Sequence, residues 1–230
     1  MTSFAEEIDH TSRSFLCGWS ARAESSDSIA RGIQALARAL AVIEPAYGEL
    51  WPFFEARNIR PGDPGPVLRI SPGDFGKLID RRARFDPPQY PAPVGPEGYS
   101  ITVAANRYLV DQLGISISIR AGDCRTDPYW YNSVHITLNN DSTIWTSVDR
   151  GRQVLSAMIE AWSPQWGCAS AFIFTDNDAA SDDSSLNVYR PWLAWAAAGA
   201  ARPPEPYDFT AADRPGEVQQ ADGGELRIWR

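Results

Sequence analysis

Three runs decide the fold: Tyr99-Ser100-Ile101-Thr102-Val103, Ile115-Ser116-Ile117-Ser118-Ile119, and Ser133-Val134-His135-Ile136-Thr137-Leu138. In each, apolar and polar residues alternate with a period of two. Successive side chains of a strand point to opposite faces, so each run has one apolar and one wet face. Three such runs with short polar breaks predict an antiparallel sheet buried on one side. An oily sheet face needs a cover, and amphipathic helices before and after it supply one. The expected class is therefore α+β, an antiparallel sheet of about four to six strands with one face covered by two or three amphipathic helices.

Working outward, the spacing predicts a helix over Ser28–Glu44, with Ile29, Ile33, Leu36, Leu40 and Ile43 on one stripe. Ser25, Ser26 and Asp27 are its candidate caps, and Pro45 its stop. Phe15–Trp19 before it reads as a strand. An aromatic cluster follows at Tyr47, Leu50, Trp51, Phe53 and Phe54. Ser71 caps a short helix that starts at Pro72 and carries Phe75, Leu78 and Ile79. Lys77, Arg81, Arg82 and Arg84 form a basic run there, read as a solvated helix end. Beyond the sheet, Ser142–Ser147 reads as more strand and Val148–Trp162 as a helix ended by Ser163-Pro164. Ala169–Thr175 reads as a buried strand, Tyr189–Ala198 as a short apolar helix, and Asp222-Gly223-Gly224 as a turn into a last strand, Glu225–Trp229. The domain reading is a polar leader over 1–14 and one domain over 15–230, with Pro-rich surface segments at 60–66, 86–96 and 202–217.

The 230-residue chain has a net charge of −8 and pI near 4.8, which argues against a nucleic-acid binder. Cys17, Cys124 and Cys168 form no CxxC pair, so neither zinc nor a disulfide framework is suggested. No signal peptide or membrane-length apolar run is present, which gives a cytoplasmic expectation. The catalytic inventory is thin, with only two histidines, His10 and His135. There is no GxSxG elbow, phosphate-binding loop or dinucleotide glycine pattern. Asp176, Asp178, Asp182 and Asp183 lack the spacing of a calcium loop and read as a solvated acidic loop. No cofactor is expected. Nine Trp and eight Tyr stand out, some of them in turn-like sequence such as Tyr129-Trp130-Tyr131. Such residues either pack back on their own domain or anchor a protein interface.

Several stretches are similar to the immunity protein 52 family of bacterial polymorphic toxin systems. They are Gly18-Trp19 with Arg22-Ala23-Glu24-Ser25, Pro45-Ala46-Tyr47 and Trp51, Gly98-Tyr99-Ser100-Ile101 with Ala105-Asn106, and Asn132-Ser133-Val134. The most specific is Ala161-Trp162-Ser163-Pro164-Gln165-Trp166-Gly167, followed by Arg190-Pro191-Trp192-Leu193 and Asp222-Gly223-Gly224. Between Asn58 and Pro96 the chain departs from the pattern, Pro-rich sequence standing where the family is more helical. The resemblance implies a non-enzymatic protein that binds and neutralises a cognate toxin. That toxin is typically a nuclease of restriction-endonuclease type, delivered by contact-dependent systems such as type VI secretion. No catalytic residues carry over. A nuclease presents basic groups, so an acidic inhibitor gains steered association. The expected contacts, chosen on chemistry, are Tyr129, Trp130, Tyr131, Asp176, Asp178, Asp182 and Asp183. Two other readings stay open: a carboxylate enzyme using His135, and a small-ligand or carbohydrate-binding module built on exposed Trp and Tyr.

Overall fold

A computed structural model describes residues 11–20, 22–47, 53–55, 69–70, 75–80, 83–84, 98–105, 115–122, 132–138, 142–173, 188–200 and 216–229. In chain order these form β1 (Thr11–Trp19), α1 (Ser26–Ile43), β2 (Phe53–Glu55), β3 (Arg69–Ile70), α2 (Phe75–Asp80), β4 (Ala83–Arg84) and β5 (Gly98–Ala105). There follow β6 (Ile115–Ala121), β7 (Asn132–Leu138), α3 (Val148–Trp162), β8 (Trp166–Ile173), β9 (Val188–Ala197), β10 (Glu217–Ala221) and β11 (Gly224–Ile228).

All strands join one open antiparallel sheet in the order β10-β11-β9-β8-β1-β7-β6-β5-β2-β3, with β4 also on β5. Eight strands are five residues or longer, which corrects the expected four to six. Two of the additions have physical causes. The segment read as a helix over Tyr189–Ala198 is strand β9, because β8 and β11 both pair with it and satisfy its backbone. Polar β10 (Glu-Val-Gln-Gln-Ala) has no oily face to betray it and is held as one arm of a hairpin with β11. Strand β1 also begins at Thr11, four residues before the apolar run that predicts it.

The helices behave as their sequences predict. Ser25 caps α1, its hydroxyl accepting from the Ser28 amide at 3.1 Å while Ser28 Oγ accepts from the Ser25 amide. α3 spans the predicted residues and ends at Ser163, which takes a left-handed conformation before Pro164. Ser142–Ser147 is not strand but a 3-10 turn, Thr143–Thr146, capped by Ser142. Ser71 and Pro72, the expected start of α2, lie outside the described residues.

α1 and α3 cover one sheet face as an antiparallel pair. Gly32, early in α1, meets Trp162 at the end of α3, while Glu44, just past α1, bonds Arg150 at the start of α3. Between helices and sheet lies the main core of Ile29, Ile33, Leu36 and Leu40 against Val103, Ile117, Ile119, Val134, Ile136, Phe15 and Cys17. Trp145 stacks on Phe15 at 5.0 Å, and Trp192 meets both rings edge-on at 6.4 Å. Trp192 reaches them because β9 shifts register between Ala169 and Ser170: Ala169 pairs Leu193 but Ser170 pairs Pro191, leaving Trp192 as the extra residue of a bulge.

Candidate functional site

The sheet face opposite α1 and α3 is built by the wet sides of the strands that open the sequence reading. Register aligns them into rows. One row runs Thr102–Ser118–His135–Leu16–Cys168–Ala194, from β5 across to β9. Beside it runs Ser100–Arg120–Ser133–Gly18–Trp166–Ala196, and on the other side Ser116–Thr137–Ser14–Ser170. The β5–β7 half is thus lined by hydroxyls, with Thr102 and Ser118 hydrogen-bonded at 2.9 Å. The β8–β9 half is apolar: Cys168, Ala194 and Trp229 form a small second core with Leu16 against it. Burial there pushes the Cys168 thiol up to about 12, partly offset by a hydrogen bond with Ser170. Cys17, under the helices, is raised for the same reason, so both thiols stay protonated at neutral pH.

His135 is exposed near the middle of this face. Its ring is nevertheless crowded by the strands on either side, and that loss of water holds its pKa below 6.5. The imidazole is therefore neutral at pH 7. Its cross-strand neighbours are Ser118 and Leu16, and the adjoining positions of the two flanking rows hold hydroxyls, Gly18 and Arg120, with no carboxylate among these described positions. A general base needs a group to orient or recharge it, and these positions supply none. Among the described residues no three of His, Cys, Asp and Glu cluster as metal ligands.

The residues chosen from sequence as contacts, Tyr129, Trp130, Tyr131, Asp176, Asp178, Asp182 and Asp183, lie outside the described residues. β7 starts at Asn132, opposite Trp19, whereas β8 ends at Ile173, opposite Thr11. These are the two ends of β1, roughly 26 Å apart at strand rise. Lys77 is exposed on α2, whereas Arg81 and Arg82 are outside the described residues.

The motif stretch that carries the family resemblance most specifically, Ala161–Gly167, meets the N-terminal one, Gly18–Ser25, in one joint. Arg22 lies over the Trp19 ring at 5.0 Å, donates from Nη2 to the Trp162 carbonyl at 2.6 Å, and pairs with Glu24. Its cation thus caps the negative end of α3. Gln165 closes the joint, its Oε1 accepting from the Ser20 amide at 3.1 Å and its Nε2 donating to Ser20 Oγ at 3.0 Å. Trp166 fills the space above Gly18. These residues fix where α3 hands over to β8. Their sequence signal reads as architecture, and sequence reasoning alone did not pair them.

No family model and no curated protein matches the sequence. Among solved structures, a Pseudomonas aeruginosa T6SS protein is similar at 10% identity, over 95% of this chain and 68% of that chain, with a TM-score of 0.47. At that score the likeness is too loose to bear on function. No described helix is long and apolar enough to cross a membrane.

Proposed function

We propose that this chain is an immunity protein that binds a cognate antibacterial toxin and occludes its active or substrate-binding surface. The observation that carries the reading is the open sheet face. Its β5–β7 part is fixed by continuous strand pairing and lined by partly exposed hydroxyls, the β8–β9 part being a buried apolar core, and the cross-strand neighbours of its histidine include no acid–base partner. Such a face suits recognition better than turnover, because an inhibitor needs a rigid, complementary surface and no reactive group. The net charge of −8 supports a basic partner such as a nuclease, through steered association. The ordered motifs similar to the immunity protein 52 family point the same way, and with them come a cytoplasmic site of action and a toxin delivered by type VI secretion. The protein needs no cofactor in this role and is not an enzyme.

The test is co-expression with a candidate secreted toxin, sought first among the products of neighbouring genes, scored by survival and followed by titration of the purified toxin's nuclease activity. Rescue with stoichiometric inhibition is the expected result. Survival that is no better with this chain than without it overturns the reading.

A further inference from the structure

We infer that the outward face of the α1–α3 pair is a contact surface for a second copy of this chain. A groove of about 540 Å³ runs between the helices, with Arg31, Ala35 and Arg38 on one wall and Ala157, Glu160 and Ala161 on the other. It continues into a second groove of equal volume, where Ala39 faces Asp149, Arg152 and Gln153. Small side chains along both walls let another helix approach closely. Val42 extends the ridge of Arg31, Ala35 and Arg38 at helical spacing and is 80% exposed, the more exposed of two such large apolar side chains among the described residues.

The charges say what fits there. The α1 wall carries two arginines and no carboxylate, while the α3 wall carries Glu160 and Asp149 beside Arg152. Among the described residues neither Arg31, Arg38 nor Glu160 is in an ion pair. An acidic foreign helix would suit α1 but be repelled at Glu160 and Asp149. A second copy suits both, because an isologous interface must be complementary to itself. A twofold axis along the groove lays α1 of each copy over α3 of the other at unchanged height. Arg31 and Arg38 share a groove with Glu160, so this rotation sets them toward the partner's Glu160. The antiparallel run of α1 and α3 then makes a four-helix bundle in which α1 also runs antiparallel to the α3 laid over it. This surface lies on the other side of the sheet from the open face and does not depend on the toxin-binding reading.

Sedimentation velocity on the full chain, from low to high micromolar, tests it. A concentration-dependent monomer–dimer equilibrium that weakens with added salt is expected. Arg31→Glu with Arg38→Glu, or Glu160→Arg alone, weakens self-association about tenfold or more through like charges across the twofold. Mixing the two variants restores a dimer. All three positions are exposed, and circular dichroism checks that each variant folds. A chain that stays monomeric throughout overturns the inference, as does a dimer indifferent to salt or to both sets of substitutions.

Discussion

The indole of Trp192 occupies the space over the α-carbon of Gly151 where any other residue would carry its Cβ. This one contact ties the bulge of β9 to the first turns of α3. In an exposed helix, replacing glycine by alanine gains about 1 kcal/mol from propensity. Gly151→Ala is expected to do the reverse and cost about 1–3 kcal/mol, because the ring is buried and already packed edge-on against the stacked Phe15 and Trp145. Urea unfolding measures it, and a stabilised variant would refute the packing described above.

Glu44 is 5% exposed and accepts from the Thr143 amide at 3.0 Å, from Thr143 Oγ1, and from Arg150 Nη1 at 3.3 Å. Three donors from the 3-10 turn and the start of α3 thus converge on one carboxylate just past α1. Glu44→Ala leaves those donors unmade and is expected to cost about 1–3 kcal/mol. Arg150 is 40% exposed at its side chain, so the ion pair contributes little beside the Thr143 bonds. A Glu44→Ala, Thr143→Val double-mutant cycle should therefore show a larger coupling than Glu44→Ala with Arg150→Met.

His135 sets a pH dependence whose sign can be worked out. Its folded pKa lies below the 6.5 of an unperturbed imidazole, so the unfolded chain binds the proton more readily. Stability that is fully present above pH 6.5 is lost as pH falls from there through the folded pKa. The ring is exposed, so the effect is small. Melting temperatures of the wild type and His135→Gln at pH 7.5 and pH 5.5 check it: the variant should lose less stability on acidification.

Arg22 joins β1 to the end of α3 through the Trp162 carbonyl. Arg22→Lys keeps the charge but loses the fork that also pairs Glu24 and stacks on Trp19. A loss of about 1 kcal/mol is expected in chemical denaturation, with Arg22→Met losing more. Equal losses in the two variants would show that charge geometry at this joint is irrelevant.

If the acidic loop steers a basic toxin, Asp176→Lys with Asp182→Lys slows association and flattens its dependence on salt, leaving dissociation little changed. Stopped-flow or surface-capture kinetics with the purified toxin distinguish this. Unchanged on-rates would remove the loop from the interface.

Much of the architecture was legible because it is local. The alternation in β5, β6 and β7, the stripe of α1 and the Ser147–Ser163 limits of α3 are each written in a few consecutive residues. β9 was not, since Trp192, Ala194, Trp195 and Ala196 suit a helix as well as a strand; only β8 and β11 decide the matter. The hydroxyl and His135 positions of β5, β6 and β7 were legible as wet positions but not as rows. Their alignment depends on register between strands as distant in sequence as Leu16 and Cys168. For the aromatic turn and the acidic loop, the sequence reading rests on chemistry alone.

Strand β1 bridges two blocks of sheet, β7 on one side and β8 on the other, with Phe15 opposite both Ile136 and Ala169. β1 must therefore wait until synthesis has passed Leu138 before its nearer neighbour in sequence, β7, exists, and past Ile173 before β8 does. Long-range pairing of this kind slows folding. A chain that lost β1 would leave two unpaired borders inside the molecule, at β7 and β8, each a template for sticking to another chain. Damage to this short segment should thus surface in cells as insolubility well before it surfaces as lost recognition.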